Sequence, residues 1–297
     1  MSYEIITDSA SNLTKDLTDQ FHIHVISYTI NINGEDMLCY DENRDFETAA
    51  REFYEKMRAG AAVSTSLINT DRFTKYFEPF LNAGKDIVFV GISSGISGTI
   101  QAAKIAADDL RETYPERRIE IIDTLSASLA EGLWAIRISE LRENGASIDE
   151  VLSYFEEHKM SMNQIFTVGD LKYLKRGGRI SAAEAAIGNL LSIKPILKGN
   201  ELGKIVVHEK VRSRQRSLQV LADHTIARLT DPANEYVAIA HCDAYEDTMY
   251  IADRIRSMCP VKDIIIRYYD LCTGTHVGPG TIAIFFFGKD RRDWSNS

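Results

Sequence analysis

Ile87-Val88-Phe89-Val90-Gly91-Ile92, then the hydroxyl-rich run Ser93-Ser94-Gly95-Ile96-Ser97-Gly98, then a helix-patterned segment from Thr99 to Tyr114, is the stretch that decides the fold. A short apolar run bounded by Ser and Gly is the mark of a buried strand, and the adjoining helix completes a βα unit. The unit repeats at once. Ile119-Glu120-Ile121-Ile122-Asp123 leads through Thr124-Leu125-Ser126-Ala127-Ser128 into a helical segment reaching Asn144. Two βα units in succession predict an α/β architecture, a mostly parallel sheet flanked by helices. Tyr3 to Thr7 reads as another strand of that sheet. Phe46 to Ala59 reads as a further helix, with Phe46, Ala50, Phe53, Tyr54 and Met57 spaced along one face.

Beyond about residue 160 the pattern changes. Gln164 to Val168 reads as a strand, and Leu171 to Leu174 as a helical turn closed by Arg176-Gly177-Gly178-Arg179. Ser181-Ala182-Ala183-Glu184 has the spacing of a capping box that starts a new helix. Ile193 to Leu197 and Lys204 to Val211 suggest a hairpin, followed by a helix from Ser213 to Leu229. Val237 to Ala240, Ile264 to Tyr268 and Thr281 to Phe287 are late strands around a helix from Asp247 to Met258. The expected organisation is an α/β domain over residues 1–160 and a second α+β domain over 161–297.

Composition narrows the function. The 297 residues are 44% hydrophobic and 26% charged, the proportions of a globular chain and not of a disordered, collagen-like or coiled-coil one. Lys and Arg number 34 against 43 Asp and Glu, a net charge of -9, which disfavours a nucleic-acid partner. No apolar run approaches the roughly 20 residues of a membrane-spanning helix, so no integral membrane segment is expected, although transient membrane contact stays open. The N-terminus lacks a basic stretch followed by an apolar one, and a cytoplasmic location is expected. Cys39, Cys242, Cys259 and Cys272 have no metal-site spacing, so neither a metal nor a disulfide is expected.

Ligands of open α/β sheets bind beyond the carboxyl ends of the strands. Four hydroxyl-rich segments fall at such places: Asp8-Ser9-Ala10-Ser11, Ser64-Thr65-Ser66, the loop from Ser93 to Thr99, and Thr124 to Ser128. Ser, Thr and Asp also cap helices, so each segment alone has an ordinary structural role; their concentration at one rim points to a site. Gly91-Ile92-Ser93-Ser94-Gly95 matches G-x-S-x-G, which keeps open a serine hydrolase with Ser93 as nucleophile. Against it, Gly95 and Gly98 lengthen the turn, and of His158, His208, His224, His241 and His276 only His241 and His276 lie where a site could form. Gly274-Thr275-His276-Val277-Gly278-Pro279-Gly280 reads as a flexible loop that brings His276 to a site between the halves. No phosphate-cradling glycine motif is present, so no nucleotide cofactor is expected. Finally, the segment from Lys194 to Arg216 carries seven Lys and Arg against Glu201 and Glu209. It is either a solvated basic face or, through Arg212 and Arg214, a docking surface for an acidic protein.

In this order the motifs resemble those of the bacterial DegV family. The resemblance rests on Ile6-Thr7-Asp8-Ser9-Ala10, Thr65-Ser66, Ser93 to Thr99, Ile122-Asp123-Thr124, Leu171 to Ile180, Lys194 to Leu197 and Gly274 to Gly280, and so runs nearly end to end. Leu67-Ile68-Asn69 stand where the family commonly has Gln-Pro-Ser. The resemblance implies a long-chain fatty acid such as palmitate held between two domains, with its carboxylate at the hydroxyl-rich rim. It implies a lipid-binding protein and not an enzyme, without a cofactor, that can present the acid to a separate ATP-binding fatty acid kinase subunit. Carried over to matching positions, Thr65 and Ser97 would hydrogen-bond the carboxylate, with the Gly98 N–H and His276 in the same network.

Overall fold

The computed structural model describes residues 3–181 and 193–294. The chain opens with β1 (Tyr3–Asp8), α1 (Lys15–Gln20) and β2 (Ile23–Ile26). Three short strands follow, β3 (Thr29–Ile32), β4 (Glu35–Leu38) and β5 (Val63–Ser66), with α2 (Phe46–Arg58) inserted before the last. Next come α3 (Thr70–Asn82), β6 (Asp86–Gly91), α4 (Thr99–Thr113), β7 (Ile119–Asp123), α5 (Leu129–Glu143) and α6 (Ile148–His158). The expected parallel sheet is present in the order β2-β1-β6-β7, with Ile5 beside Val88 and Val90 beside Ile122. Val88, Phe89 and Val90 are fully buried, as a strand with helices on both faces requires.

The second half adds β8 (Met162–Thr167), α7 (Lys172–Arg176), β9 (Ile193–Gly199), β10 (Ile205–Arg212), α8 (Arg214–Arg228), β11 (Tyr236–His241), α9 (Tyr245–Met258), β12 (Asp263–Tyr268), α10 (Leu271–Val277) and β13 (Ile282–Phe287). These form a mixed six-stranded sheet, β10-β9-β8-β13-β11-β12. Its central strand β13 is apolar at every position because it serves two cores. Ala283, Phe285 and Phe287 face the first sheet, while Ile282, Ile284 and Phe286 face α8 and α9. Between the sheets lies α5, buried almost all round, with Trp134 packed edge-on against Phe155 and Phe287. Gly132 lets α5 approach closely, since a methyl there would fall 2.5 Å from the Ser11 carbonyl oxygen.

Two expectations are corrected. Ser64-Thr65-Ser66 is not a loop: it is most of β5 in a three-stranded antiparallel sheet, β4-β3-β5, with Thr65 opposite Ile30. The Gly274 to Gly280 segment is not wholly a loop either, because residues up to Val277 are the helix α10. Asp270 starts that helix by accepting a hydrogen bond from the Thr273 N–H (2.7 Å), and Gly278, at φ 79°, ends it. The expected capping box at Ser181-Ala182-Ala183-Glu184 extends over 182–184, outside the described residues.

Candidate functional site

A cavity lies between the two sheets, at the carboxyl ends of the parallel strands. Its enclosed volume is about 190 Å³, and with the open mouth included the atom-free space reaches about 1030 Å³. Its walls come from every layer of the fold: Ile92 and Ile96 after β6, Ser126 and Ala127 after β7, Phe166 and Phe285 of the mixed sheet, Leu174 of α7 and Val277 of α10. The lining is mainly apolar. Gly98 and Leu67 of the lining are exposed to solvent, and Thr65, Ser97, Arg179 and His276 are half-buried.

Thr65, Ser97, Gly98 and His276, from three stretches far apart in sequence, all line this cavity. Thr65 Oγ1 lies 2.9 Å from His276 Nε2. The imidazole is backed by the turn after α7, where a methyl on Gly177 would fall 2.5 Å from His276 Nδ1. Burial, reinforced by Arg179 and Arg176, pushes the His276 pKa down to about 4. At neutral pH the ring is therefore uncharged, with one donor and one acceptor nitrogen. Ser97 belongs to a hydroxyl cluster: its Oγ donates to Thr99 Oγ1 (3.1 Å) and accepts from the Thr99 N–H (3.3 Å). Tyr28 also donates to Thr99 Oγ1 (2.5 Å) and lies 3.3 Å from Ser97 Oγ. Gly98 stands at the N-cap of the 15-residue α4, so the free N–H groups and positive end of that helix face the rim.

The arrangement suits an amphipathic anion. Hydroxyl, imidazole and backbone N–H donors converge at the mouth, and Arg179 supplies a cation there, its Nε donating to the Ile96 carbonyl (3.2 Å). Behind them the chamber offers hydrocarbon and aromatic contacts. Tyr28, Gln164, Arg179 and Thr273 are among the lining residues that the sequence reading did not single out as ligand contacts. Arg179 was within reach of it, in the Arg176-Gly177-Gly178-Arg179 punctuation after α7.

The comparisons with known proteins agree along the whole chain. The family model described as an uncharacterised protein of the DegV family matches residues 2–289. This chain belongs to the DegV family. The DegV domain-containing protein CPE0026 of Clostridium perfringens is 40% identical over 289 residues, covering 97% of this chain and 98% of that relative. Among solved structures, a DegV family protein from Thermus thermophilus described by its fatty acid binding superposes with a TM-score of 0.86 at 26% identity, covering 97% and 100% of the two chains. A DegV lipid-binding protein from Thermotoga maritima gives a TM-score of 0.84 at 27% identity, covering 98% and 100%. The DegV fold thus accounts for the parallel sheet, the mixed sheet and the helices that flank them.

The hydrolase alternative finds no support at Ser93. That side chain is fully buried, donates to the Gly203 carbonyl (2.9 Å) and accepts from the Gly95 N–H (3.0 Å). It clips the loop after β6 to the β9–β10 hairpin, and among the described residues no histidine is hydrogen-bonded to it. His241, the other candidate, lies at the end of β11 against Tyr245 and Tyr268. The basic segment is also less uniform than its composition suggests. Arg214 Nε is paired with Asp247 (2.8 Å), and the Lys198 ammonium sits over the Trp294 ring. Arg212, at the end of β10, is exposed.

Proposed function

We propose that this DegV protein binds a long-chain fatty acid, with its carboxylate at Thr65, Ser97 and the Gly98 N–H beside His276, and its acyl chain in the cavity between the sheets. One observation carries the reading: a deep apolar chamber whose mouth gathers uncharged donors from β5, the α4 N-terminus and α10. A carboxylate only accepts hydrogen bonds, so it requires convergent donors of this kind. A palmitate-length chain buries 14 or so methylenes at roughly 0.8 kcal/mol each, on the order of 11 kcal/mol before ordering costs. The lipid-binding descriptions of the solved relatives support the same ligand class.

In this reading the acid is bound and presented, and this chain does not turn it over. With the carboxylate end nearest solvent, the geometry favours presentation to a second protein, and the natural partner is an ATP-binding subunit that converts the carboxylate to an acyl phosphate. Arg212, an exposed cation of the basic segment, and its neighbour Arg214 are the residues we assign to steering that partner. We assign this role to the cytoplasm, where its four unpaired cysteines persist.

Mass spectrometry of an organic extract, paired with the intact mass under native conditions, tests the binding. A fatty acid in about one-to-one ratio is the expected result. An empty protein that also takes up no added palmitate would overturn the assignment.

A further inference from the structure

A buried arginine that does not line the cavity is bonded to one of its walls. Arg291 follows β13, is 1% exposed and makes a single side-chain hydrogen bond: Nη1 donates to the Leu125 carbonyl (3.0 Å), while Nε and Nη2 have no partner among the described residues. A guanidinium buried with two nitrogens unsatisfied costs stability, so its place in the fold needs another reason. Leu125 supplies one. It stands at φ 50°, a left-handed conformation that a leucine keeps only when its surroundings fix it. Its N–H donates to Asp123 Oδ1 (3.1 Å), and its carbonyl accepts from Gln164 Nε2 (3.2 Å) as well as from Arg291. Gln164 Oε1 accepts in turn from the Ala127 N–H (3.3 Å). Gln164 and Ala127 both line the cavity, so the turn from Leu125 to Ala127 is part of its wall.

Arg291 is itself held by its own segment. The Gly288 N–H donates to the Ser161 carbonyl (2.9 Å) and the Arg291 N–H to the Met160 carbonyl (2.8 Å). Arg228 of α8 donates to the carbonyls of Asp290 (2.6 Å) and Asp293 (3.2 Å). Trp294 completes the attachment, with the Arg228 guanidinium 4.3 Å and the Lys198 ammonium 5.0 Å from its ring centre. The segment is thus tied to the second half of the chain and, through one side chain, to Leu125 of the first.

Resting on the fatty-acid reading above, we infer that residues 288–294 form a strap between the two halves, and that Arg291 is a positioning residue that keeps the Leu125–Ala127 wall in place and so slows release of the bound acid. A wall that yields loosens the packing around a bound chain, and such changes act on dissociation more than on association. When Arg291 is replaced by an apolar side chain of similar length, the Leu125 carbonyl keeps its bond from Gln164 and is not left stranded. Removing the arginine should therefore spare stability and shorten retention, a combination that a merely structural contact does not give.

Stopped-flow release of the fluorescent long-chain cis-parinaric acid from the delipidated and reloaded full-length protein into excess palmitate tests this, with urea titration of the same samples. Arg291→Met is expected to release the probe about fivefold faster, with a denaturation midpoint equal to or above that of the wild type. Trp294→Ala, which loosens the strap at a partly exposed residue, is expected to speed release as well. A wild-type rate in Arg291→Met overturns the inference. So does a lowered midpoint or a failure to fold, which would make the arginine an ordinary stabilising contact. A wild-type rate in Trp294→Ala overturns the strap. If neither cis-parinaric acid nor palmitate binds the wild type, it is the fatty-acid reading that fails, which separates the two failures.

Discussion

Thr65 and His276 show how much rests on single side chains. In the proposed complex each rim hydroxyl turns its proton to the carboxylate, and a hydrogen bond to a charged group is worth roughly 1.5–3 kcal/mol. Thr65→Ala with Ser97→Ala is therefore expected to weaken palmitate binding about a hundredfold or more, while circular dichroism stays native because neither change opens a large cavity. Unchanged lipid occupancy in the double variant would remove both residues from the site. His276 makes a second, pH-dependent prediction. Its pKa is about 4 in the folded protein against about 6.5 unfolded. Its contribution to stability is thus full above pH 6.5 and is lost as the pH falls through 4, a change of about 3 kcal/mol. Asp8 and Asp270, each raised to about 7 by burial, act with the opposite sign as the pH rises. The comparison with His276→Gln isolates the histidine: wild type should lose about 3 kcal/mol relative to the variant between pH 7 and pH 4 in denaturant titrations. Parallel stability curves would mean that the ring is not held neutral. At this scale the rim was legible in the sequence, because donors for an anion are recognisable as residue types. Tyr28 and Gln164 were not, because only tertiary packing brings them to the cavity, while Ser126 was named within the segment Thr124 to Ser128 without being singled out.

The elements that hold the rim were read unevenly. The βα units announced themselves through apolar runs and helical spacing. The β4-β3-β5 sheet did not, since its four-residue strands are polar at half their positions or more. A signal was nonetheless present: Asn33-Gly34, both at positive φ, joins β3 to β4, and that dipeptide is the strongest short hairpin mark. The placement of His276 on α10 depends in turn on the α7 turn behind it. Gly177 has an ordinary helical conformation, so Gly177→Ala meets no backbone strain; its methyl would instead fall 2.5 Å from His276 Nδ1. Palmitate affinity is expected to drop about tenfold as the imidazole moves off Thr65, with stability changed by no more than about 1 kcal/mol. Wild-type affinity in Gly177→Ala would show that the turn does not position the ring. For β10, charge reversal at Arg212 is the cleaner test of docking, because reversal at Arg214 would also set a carboxylate against Asp247. Arg212→Glu should slow partner-dependent acyl phosphate formation severalfold with lipid binding retained, and a normal rate would place the docking surface elsewhere.

At the scale of the whole molecule, the change of pattern near residue 160 marks a change of sheet, and the proposed division into 1–160 and 161–297 follows it. The packing nevertheless ties the halves together. One hydrophobic core runs from Ile5, Val88 and Phe89 of the first sheet, through Leu133 and Trp134 of α5, to Phe166, Ala240 and Phe285 of the second. Nothing in the alternation of apolar residues shows that link, because a helix that is hydrophobic all round does not reveal what lies on each side of it. A core shared in this way predicts that the halves do not unfold separately. The cavity adds to the coupling, since its walls belong to both sheets and ligand binds only when they are together. Calorimetry of the delipidated chain should therefore give a single transition, and palmitate at about a hundred times its Kd should raise it as one peak. Mass action supplies about 2.7 kcal/mol at that concentration, or roughly 5 °C for a chain of this size. Two resolved transitions, of which palmitate moves only one, would mean that the halves fold independently and that the site belongs to one of them.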